Sequence, residues 1–394
     1  MKWLRRAALF LVLGACALYV ALGARTPWDF ETYYYAGKAV RMGLDPYSLA
    51  SLSVAAGKPV ALPFLYPPAA LLPFGPLSHL PVGVAGYVWL GIQCLLALFL
   101  LTLWRKRFLP DAPTDLLLIV TLLGFNAALL WALRTGNLAL LEAALLWAGL
   151  GALARGRLAT AGALIALGGA FKLLPLAFLA LVAAAPARAR DRVRALLAAA
   201  LVLVAVALVA TPLLPGWAAA VRHSMAPGRP MGEVNPTLFG LLDGWASGGP
   251  DMPGSPKGFT YGVWAGFSAA ILALSVRPLL RLRREESSIG WILFGVLVWL
   301  LIAPRVMVYS WVMAVPPAVY FIRRGLTPGP LRAIAYGCLV LQGVARALPG
   351  PPSPALTGFP FLLLLGLWGL AAAFWPERRA EAGSPGLTVH RAKA

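Results

Sequence analysis

The most constraining feature of this chain is a succession of apolar runs, with short basic clusters between them. A membrane-spanning helix needs about 20 mainly apolar residues. Only 12% of the residues are charged, whereas soluble domains contain roughly 25%. The pattern predicts an all-α, polytopic membrane protein whose spans cover residues 7–24, 83–103, 115–133, 138–153, 195–212, 259–276, 289–304, 307–322, 331–348 and 357–375.

Residues 159–185 are a special case, because basic clusters flank this apolar run on both sides. Cytoplasmic loops are enriched in Lys and Arg, so both flanks are expected in the cytoplasm and the run must cross the membrane an even number of times. A hairpin broken between Lys172 and Pro175 satisfies this, since proline interrupts a helix. The layout then has about 10–12 membrane helices, with both termini cytoplasmic. A single long span would instead place the basic residues 277–284 outside.

The formal net charge of +20 would suggest a nucleic-acid partner in a soluble protein. Here the basic residues lie between apolar runs, so the charge reflects topology and no nucleic acid is expected. We expect a multi-pass protein of the plasma (inner) membrane. Residues 1–24 could also be a signal peptide, but their apolar run is long enough to favour an uncleaved first helix.

Residues 1–375 are expected to form a single transmembrane domain, and residues 376–394 a disordered cytoplasmic tail. Two long outer loops interrupt the domain, at about 25–82 and 213–258, and loops of such length are usually functional or disordered. Within the first loop, the proline-rich residues 62–81 cannot form one regular helix and are expected to be a bent surface element.

Two carboxylates, Asp29 and Glu31, stand just past the first predicted span, and a cluster of tyrosines follows them on a predicted short helix. Aromatic rings with polar tips suit sugar binding, although tyrosines also occur as belts at membrane interfaces. Asp29 by itself could equally be a helix cap.

Two charged residues, Glu142 and Lys172, lie well inside predicted membrane segments. Glu142 there would cost roughly 2.5–3.5 kcal/mol unless it faces a cavity or a partner, and Arg134, Lys172 and Arg305 are the available cations. A protonated, hydrogen-bonded acid is the alternative. Lys172 lies beside the predicted helix break, where it could contact a phosphate or extend to the membrane surface.

The sequence contains none of the common catalytic motifs: no Walker loop, HExxH, GxSxG or CxxC. The three histidines are too dispersed for a metal site, and no cofactor is indicated. A divalent metal would have only Asp29 and Glu31 to hold it, and two carboxylates on a loop do not indicate one.

Four motifs occur in a fixed order along most of residues 1–320. They are Asp29-Phe30, Gly43-Leu44-Asp45-Pro46-Tyr47, Tyr66-Pro67-Pro68 followed by Pro76-Leu77, and Ala161-Gly162 followed by Lys172-Leu173-Leu174-Pro175. This set resembles glycosyltransferase family 87, membrane mannosyltransferases of the GT-C architecture that use polyprenyl-phosphate sugars. Two stretches depart from the family pattern. Residues 136–139 read Gly-Asn-Leu-Ala instead of Gly-Gln-x-Asn, and residues 303–310 lack the histidine of many members.

The resemblance implies inverting transfer of a hexose, with mannose as the first candidate, from a polyprenyl-phosphate donor to a glycolipid or glycan acceptor. The reaction would take place in an outer-face cavity. Asp29 matches the family's catalytic base. We expect Lys172, Arg134 and Arg305 to contact the donor phosphate. The expected sugar- or acceptor-binding residues are Glu31, Tyr33, Tyr34, Tyr66, Asn137, Glu142 and Tyr309.

Two other functions stay open on the sequence. One is a transporter or flippase of lipid-linked sugars, although many transporter folds show internal repeats and none is evident here. The other is a non-catalytic relative that binds polyprenyl lipids, which the departures from the family pattern allow.

Overall fold

The computed structural model describes residues 2–23, 27–224, 235–246, 257–284, 288–347 and 354–374, and these contain helices but no β-strand. The α-helices are α1 Lys2–Gly23, α2 Trp28–Arg41, α3 Leu49–Ala56, α4 Phe74–Leu77, α5 Val82–Leu103, α6 Thr114–Thr135, α7 Ala139–Leu153, α8 Leu158–Phe171, α9 Leu179–Ala183, α10 Ala189–Ala210, α11 Leu214–Ser224, α12 Leu238–Ala246, α13 Lys257–Arg284, α14 Ser288–Ile302, α15 Val315–Gly325, α16 Pro330–Ala347 and α17 Pro354–Phe374.

Four continuous helical stretches are long and apolar enough to cross a membrane. They are Val82–Phe108, Thr114–Thr135, Ala189–Arg222 and Gly258–Arg284. Eight shorter apolar helices of 10–17 residues accompany them in the described part of the chain. The predicted all-α, polytopic membrane fold is therefore confirmed.

Helix α6 lies at the centre of the bundle, whereas α5, α10 and α13 lie at its periphery. The membrane-length window of α6 is 67% buried within the protein, against 22%, 17% and 17% for the other three. Most of the apolar surface of those three helices is thus left for lipid. Small residues bring helices of the core together. A side chain at Gly162 of α8, for example, would collide with the carbonyl of Ala195 in α10.

The predicted break in residues 159–185 is present where the sequence placed it. Helix α8 ends at Phe171, Lys172 adopts an extended conformation, and a 3-10 turn covers Leu174–Phe178 before the short α9. The second limb is shorter than expected. The helical residues Leu174–Ala183 rise only about 17 Å, less than the hydrocarbon core of about 30 Å.

The predicted span 307–322 is not one helix. Residues Val308–Ala314 form a 3-10 segment, and α15 begins only at Val315. Pro316 and Pro317 explain the boundary, because proline fits the first turn of a helix but cannot donate a hydrogen bond farther along. Beside this segment α6 is also irregular. Its residues Phe125, Asn126 and Ala127 have positive φ angles, and the ring of Phe125 lies 6.1 Å from that of Trp311.

The segment predicted as a first outer loop is a compact helical unit. It contains α2, α3, α4 and a 3-10 turn at Pro68–Leu71, so the tyrosine cluster is helical and the proline-rich stretch is bent, as expected. Its core is aromatic: Phe74 packs against Phe30, Tyr33 and Trp89 with ring centroids 4.8–6.1 Å apart. The second predicted loop contains α11 and α12, while residues 225–234 and 247–256 lie outside the described residues, as does the predicted tail at 376–394.

Candidate active site

Asp29 lies in the first turn of α2, a helix outside the four membrane-length stretches. Its position would allow it to cap the helix, but no side chain makes a capping hydrogen bond there. Oδ2 of Asp29 instead accepts a hydrogen bond of 2.9 Å from Nδ2 of Asn137. The carboxylate is therefore held by a distant part of the chain and not by its own helix end.

Asn137 reaches Asp29 because α6 ends in a glycine. Gly136 has a φ of +72°, which glycine adopts readily, and a Cβ at this position would lie 2.5 Å from Cβ of Phe30. The side-chain oxygen of Asn137 accepts from the backbone N–H of Ala139 over 3.0 Å. With Oδ1 fixed in this Asx turn, the amide nitrogen points towards α2.

The same amide nitrogen lies near two tyrosine hydroxyls. Nδ2 of Asn137 is 2.9 Å from the hydroxyl of Tyr33 and 3.1 Å from that of Tyr66. The two rings meet edge to face with centroids 5.1 Å apart, and the hydroxyl of Tyr66 lies beside that of Tyr309. A continuous polar path thus runs from Asp29 to the 3-10 segment that carries Tyr309.

The path ends at a buried ion pair. Nζ of Lys172 lies 3.1 Å from Oε2 of Glu142, whose side chain is completely buried, whereas that of Lys172 is 17% exposed. The hydroxyl of Ser310 lies 2.6 Å from the lysine and 3.4 Å from the glutamate. The ammonium also stands 5.0 Å from the ring centre of Tyr309. Of the three cations predicted as partners for Glu142, Lys172 is the one that pairs with it.

The electrostatics of Asp29 suit a proton acceptor. Burial raises the pKa of its carboxyl group, while the hydrogen bond from Asn137 and the positive charge of Lys172 oppose that increase. A carboxylate with a raised pKa is a stronger base. The surroundings therefore combine a fixed orientation with increased basicity.

The sequence profile of glycosyltransferase family 87 matches residues 64–304, well over half of the chain. The chain belongs to this family. It is a multi-pass membrane glycosyltransferase, so its donor and acceptor include lipid-linked molecules in general. No curated protein and no solved structure matches the chain. The matched region includes Tyr66, Asn137, Glu142 and Lys172 but begins after Asp29 and ends before Tyr309.

Three residues predicted for the site of this family 87 transferase make other contacts, and a fourth, Arg305, is exposed. The hydroxyl of Tyr34 donates to the carbonyl of Leu80 over 2.7 Å. Glu31 pairs with Lys58 at 3.1 Å. Arg134 stacks over the ring of Tyr19 at 4.7 Å, and Arg305 is exposed on the turn before Tyr309. Among the described residues, no group of three or more His, Cys, Asp or Glu is placed to hold a metal ion.

Sequence reasoning missed several residues of the transferase that organise the site. Ser310 joins the ion pair, and its hydroxyl inside an apolar stretch was the available signal. Asn235 and Thr237 hold the turn that carries Arg305. The amide oxygen of Asn235 accepts from the N–H of Val306 over 3.0 Å, and Thr237 donates to the carbonyl of Pro304 over 2.9 Å. No sequence signal linked them to that turn.

Proposed function

We propose that this glycosyltransferase moves a hexose, with mannose as the first candidate, from a polyprenyl-phosphate donor to a lipid-linked or glycan acceptor, with inversion. The observation that carries the proposal is the position of Asp29: a half-buried carboxylate with a raised pKa, oriented by Asn137 and joined through two tyrosines to the Lys172 region. In this proposal the protein is of the GT-C type, works at the outer face of the plasma membrane and keeps both termini in the cytoplasm.

Asp29 acts as the general base of a single displacement. The oxygen of an acceptor hydroxyl attacks the anomeric carbon while Asp29 takes the hydroxyl proton. The bond between the anomeric carbon and the phosphate oxygen breaks, and the electron pair leaves with polyprenyl phosphate. Because that anion is a good leaving group, no second carboxylic acid is needed to protonate it.

The donor phosphate is assigned to the cationic end of the polar path. Lys172 keeps a partly exposed ammonium group, and Arg305 is exposed on the neighbouring turn. Cationic donors form strong hydrogen bonds with phosphate oxygens. Glu142 has no exposed surface, so we assign it to holding Lys172 in place and not to contact with the acceptor.

The sugar is assigned to the tyrosines between these two ends. Tyr66 is partly exposed and Tyr309 is buried beside Lys172. Their hydroxyls can donate hydrogen bonds to a sugar or accept them from it, and their rings offer apolar faces on which a sugar can pack. We leave Tyr34 and Arg134 outside the proposed site. Tyr34 hydrogen-bonds the carbonyl of Leu80, and Arg134 stacks on Tyr19 of α1.

The test is sugar transfer in proteoliposomes with radiolabelled polyprenyl-phosphate mannose and a host lipid extract. We expect a labelled product with the unmodified protein and none with Asp29→Asn. Asp45→Asn is the matched control, because Asp45 lies in the same outer unit and its carboxylate accepts a local hydrogen bond from the backbone N–H of Tyr47. An Asp29→Asn protein as active as the unmodified one would refute the assignment of the base. Movement of donor lipid between leaflets without any product would favour a transporter.

A further inference from the structure

An open groove lies between α13 and α17. It has a volume of about 420 Å³ and is bounded by Leu274, Arg277 and Arg281 on one side and by Trp368 and Gly369 on the other. Helix α13 is one of the peripheral membrane-length helices, so the groove faces the surrounding lipid. A side chain at Gly369 would meet nothing within 4 Å. A lipid molecule can therefore enter the groove laterally without displacing protein atoms.

The groove combines an apolar surface with two cations. Leu274 is 62% exposed and lies about one helical turn before Arg277. The indole N–H of Trp368 donates to the hydroxyl of Ser275 over 2.8 Å, which joins the two helices and fixes the ring at the level of Leu274. Arg277 and Arg281 are four positions apart, so their side chains share one face of α13. This polarity matches an amphiphile with an apolar chain and an anionic headgroup.

The protein leaves the charges of the two arginines without a partner. Both side chains are exposed, and neither forms an ion pair or a side-chain hydrogen bond with a residue that the structure describes. No acidic side chain among the described residues lines the groove. Guanidinium groups form strong, often paired hydrogen bonds with phosphate oxygens, and basic pockets between membrane helices bind phospholipid headgroups. Both guanidinium groups are thus available to a lipid phosphate.

The two arginines lie far along α13 from the proposed donor site. Trp264, nearer the start of α13, donates to the carbonyl of Ile302 over 2.9 Å, just before the turn that carries Arg305. Arg277 follows Trp264 by 13 positions, which is a rise of about 20 Å in an α-helix. That rise covers most of the hydrocarbon core of about 30 Å. The groove is therefore separate from the proposed active site and lies towards the opposite membrane face.

We propose that this groove binds an anionic phospholipid of the cytoplasmic leaflet. Its phosphate lies between Arg277 and Arg281, and an acyl chain packs against Leu274 and Trp368. The leaflet follows from the excess of arginine at this end of α13. A polyprenyl phosphate carries a similar anionic group, but the proposed reaction places that group near Arg305, at the other end of the helix. The inference does not depend on the proposed function.

The test is photo-crosslinking of the full-length protein in phosphatidylcholine proteoliposomes that contain a small fraction of a probe lipid. The probe is phosphatidylglycerol with a diazirine in one acyl chain, and phosphatidylcholine with the same diazirine is its uncharged-headgroup counterpart. We expect phosphatidylglycerol to label residues 274–281 and 368–372 about tenfold more than phosphatidylcholine does. Unlabelled phosphatidylglycerol should compete for this labelling more strongly than polyprenyl phosphate.

Two kinds of variant separate the cations from the shape of the groove. The double variant Arg277→Gln, Arg281→Gln should lower labelling by phosphatidylglycerol about tenfold. Its matched control is Arg190→Gln, Arg194→Gln, because these arginines have the same spacing on α10, another peripheral membrane-length helix, and lie outside the groove.

Gly369→Leu keeps both arginines and fills the groove without meeting protein atoms, so labelling should also fall. Gly366→Leu is its matched control, because Gly366 is on the same helix, is equally open and does not line the groove.

Equal labelling by the two probes would overturn the inference, because the arginines would then select no headgroup. Equal labelling of the Gly369→Leu and Gly366→Leu proteins would overturn it as well. Stronger competition by polyprenyl phosphate than by phosphatidylglycerol would refute the assignment to a phospholipid. Labelling requires no sugar transfer, so a protein that transfers no sugar but is labelled in this groove would refute the proposed function and support the site.

Discussion

Asn137 donates a hydrogen bond of 2.9 Å to Asp29 across 108 positions of the chain. The bond joins the loop after α6 to the first turn of α2. It is directional, because the oxygen of the same amide is already used by the N–H of Ala139. The proposed base is therefore oriented by a residue whose own position depends on the end of α6.

Replacing Asn137 by Asp should impair transfer while changing the shape of the site very little. The substitution removes the N–H donor and places a second carboxylate against Asp29, so the pKa of Asp29 should rise further. We expect a decrease in transfer rate of roughly 100-fold at neutral pH. The rising limb of the pH profile of kcat/KM should also move to higher pH. An unshifted limb in a folded variant would show that Asn137 does not act through Asp29.

Replacing Asp29 by Asn should stabilise the protein although it removes activity. Burial raises the pKa of Asp29 above its usual 3.8 in the folded state. The folded protein then holds this proton more tightly than the unfolded chain, so this group's stabilising effect is full below the unfolded pKa and is lost as pH rises through the folded pKa. The neutral amide of the Asp29→Asn variant does not ionise, so the variant does not lose this stability as pH rises. Thermal unfolding in detergent from pH 4 to 8 should show that the unfolding temperature of the variant increases relative to that of the unmodified protein as pH rises. A difference in unfolding temperature that shrinks with pH would contradict the assigned pKa shift.

Much of the fold could be predicted because membrane helices require long apolar runs. The break at Lys172 was predictable from Pro175, since proline acts locally. The interruption of α6 at Phe125–Ala127 was not, because no proline marks it. Its left-handed residues lie against the 3-10 segment around Trp311, which is distant in the sequence.

The site was predictable only in part. On α2, helix geometry explains which of the predicted residues reach Asn137 and which do not. Side chains four residues apart share a face of a helix, and Tyr33 indeed joins Asp29 at Asn137. Glu31 and Tyr34 lie two and five positions from Asp29, so at 3.6 residues per turn they face other directions. They contact Lys58 and Leu80 instead. Contacts that depend on long-range packing, such as those of Asn235 and Thr237 with the turn that carries Arg305, had no local signal.

Removing Lys172 should destabilise the protein, and removing its partner as well should restore most of that loss. Lys172→Met leaves Glu142 charged and buried without a cation, which typically costs about 3–5 kcal/mol. The double variant Lys172→Met, Glu142→Leu buries no unpaired charge. Chemical denaturation should show it to be much closer to the unmodified protein.

The KM for the donor distinguishes a structural role of the pair Lys172–Glu142 from a role of Lys172 in donor binding. If Lys172 binds the donor phosphate, the stable double variant should still have a strongly raised KM for the polyprenyl-phosphate donor. Recovery of normal donor KM along with stability would show that the ion pair is structural only.

Replacing Gly136 by Ala should both destabilise the protein and displace Asn137 from Asp29. The new methyl group would be forced against Phe30 in a backbone conformation that disfavours side chains. Together these effects should cost about 2–4 kcal/mol. Gly156→Ala is the matched control, because Gly156 has the same φ of +72° but nothing within 4 Å of an added Cβ. That variant should lose only about 1–2 kcal/mol, the cost of the backbone conformation, and keep its transfer rate. Equal losses in the two proteins would mean that the contact between Gly136 and Phe30 does not determine the position of Asn137.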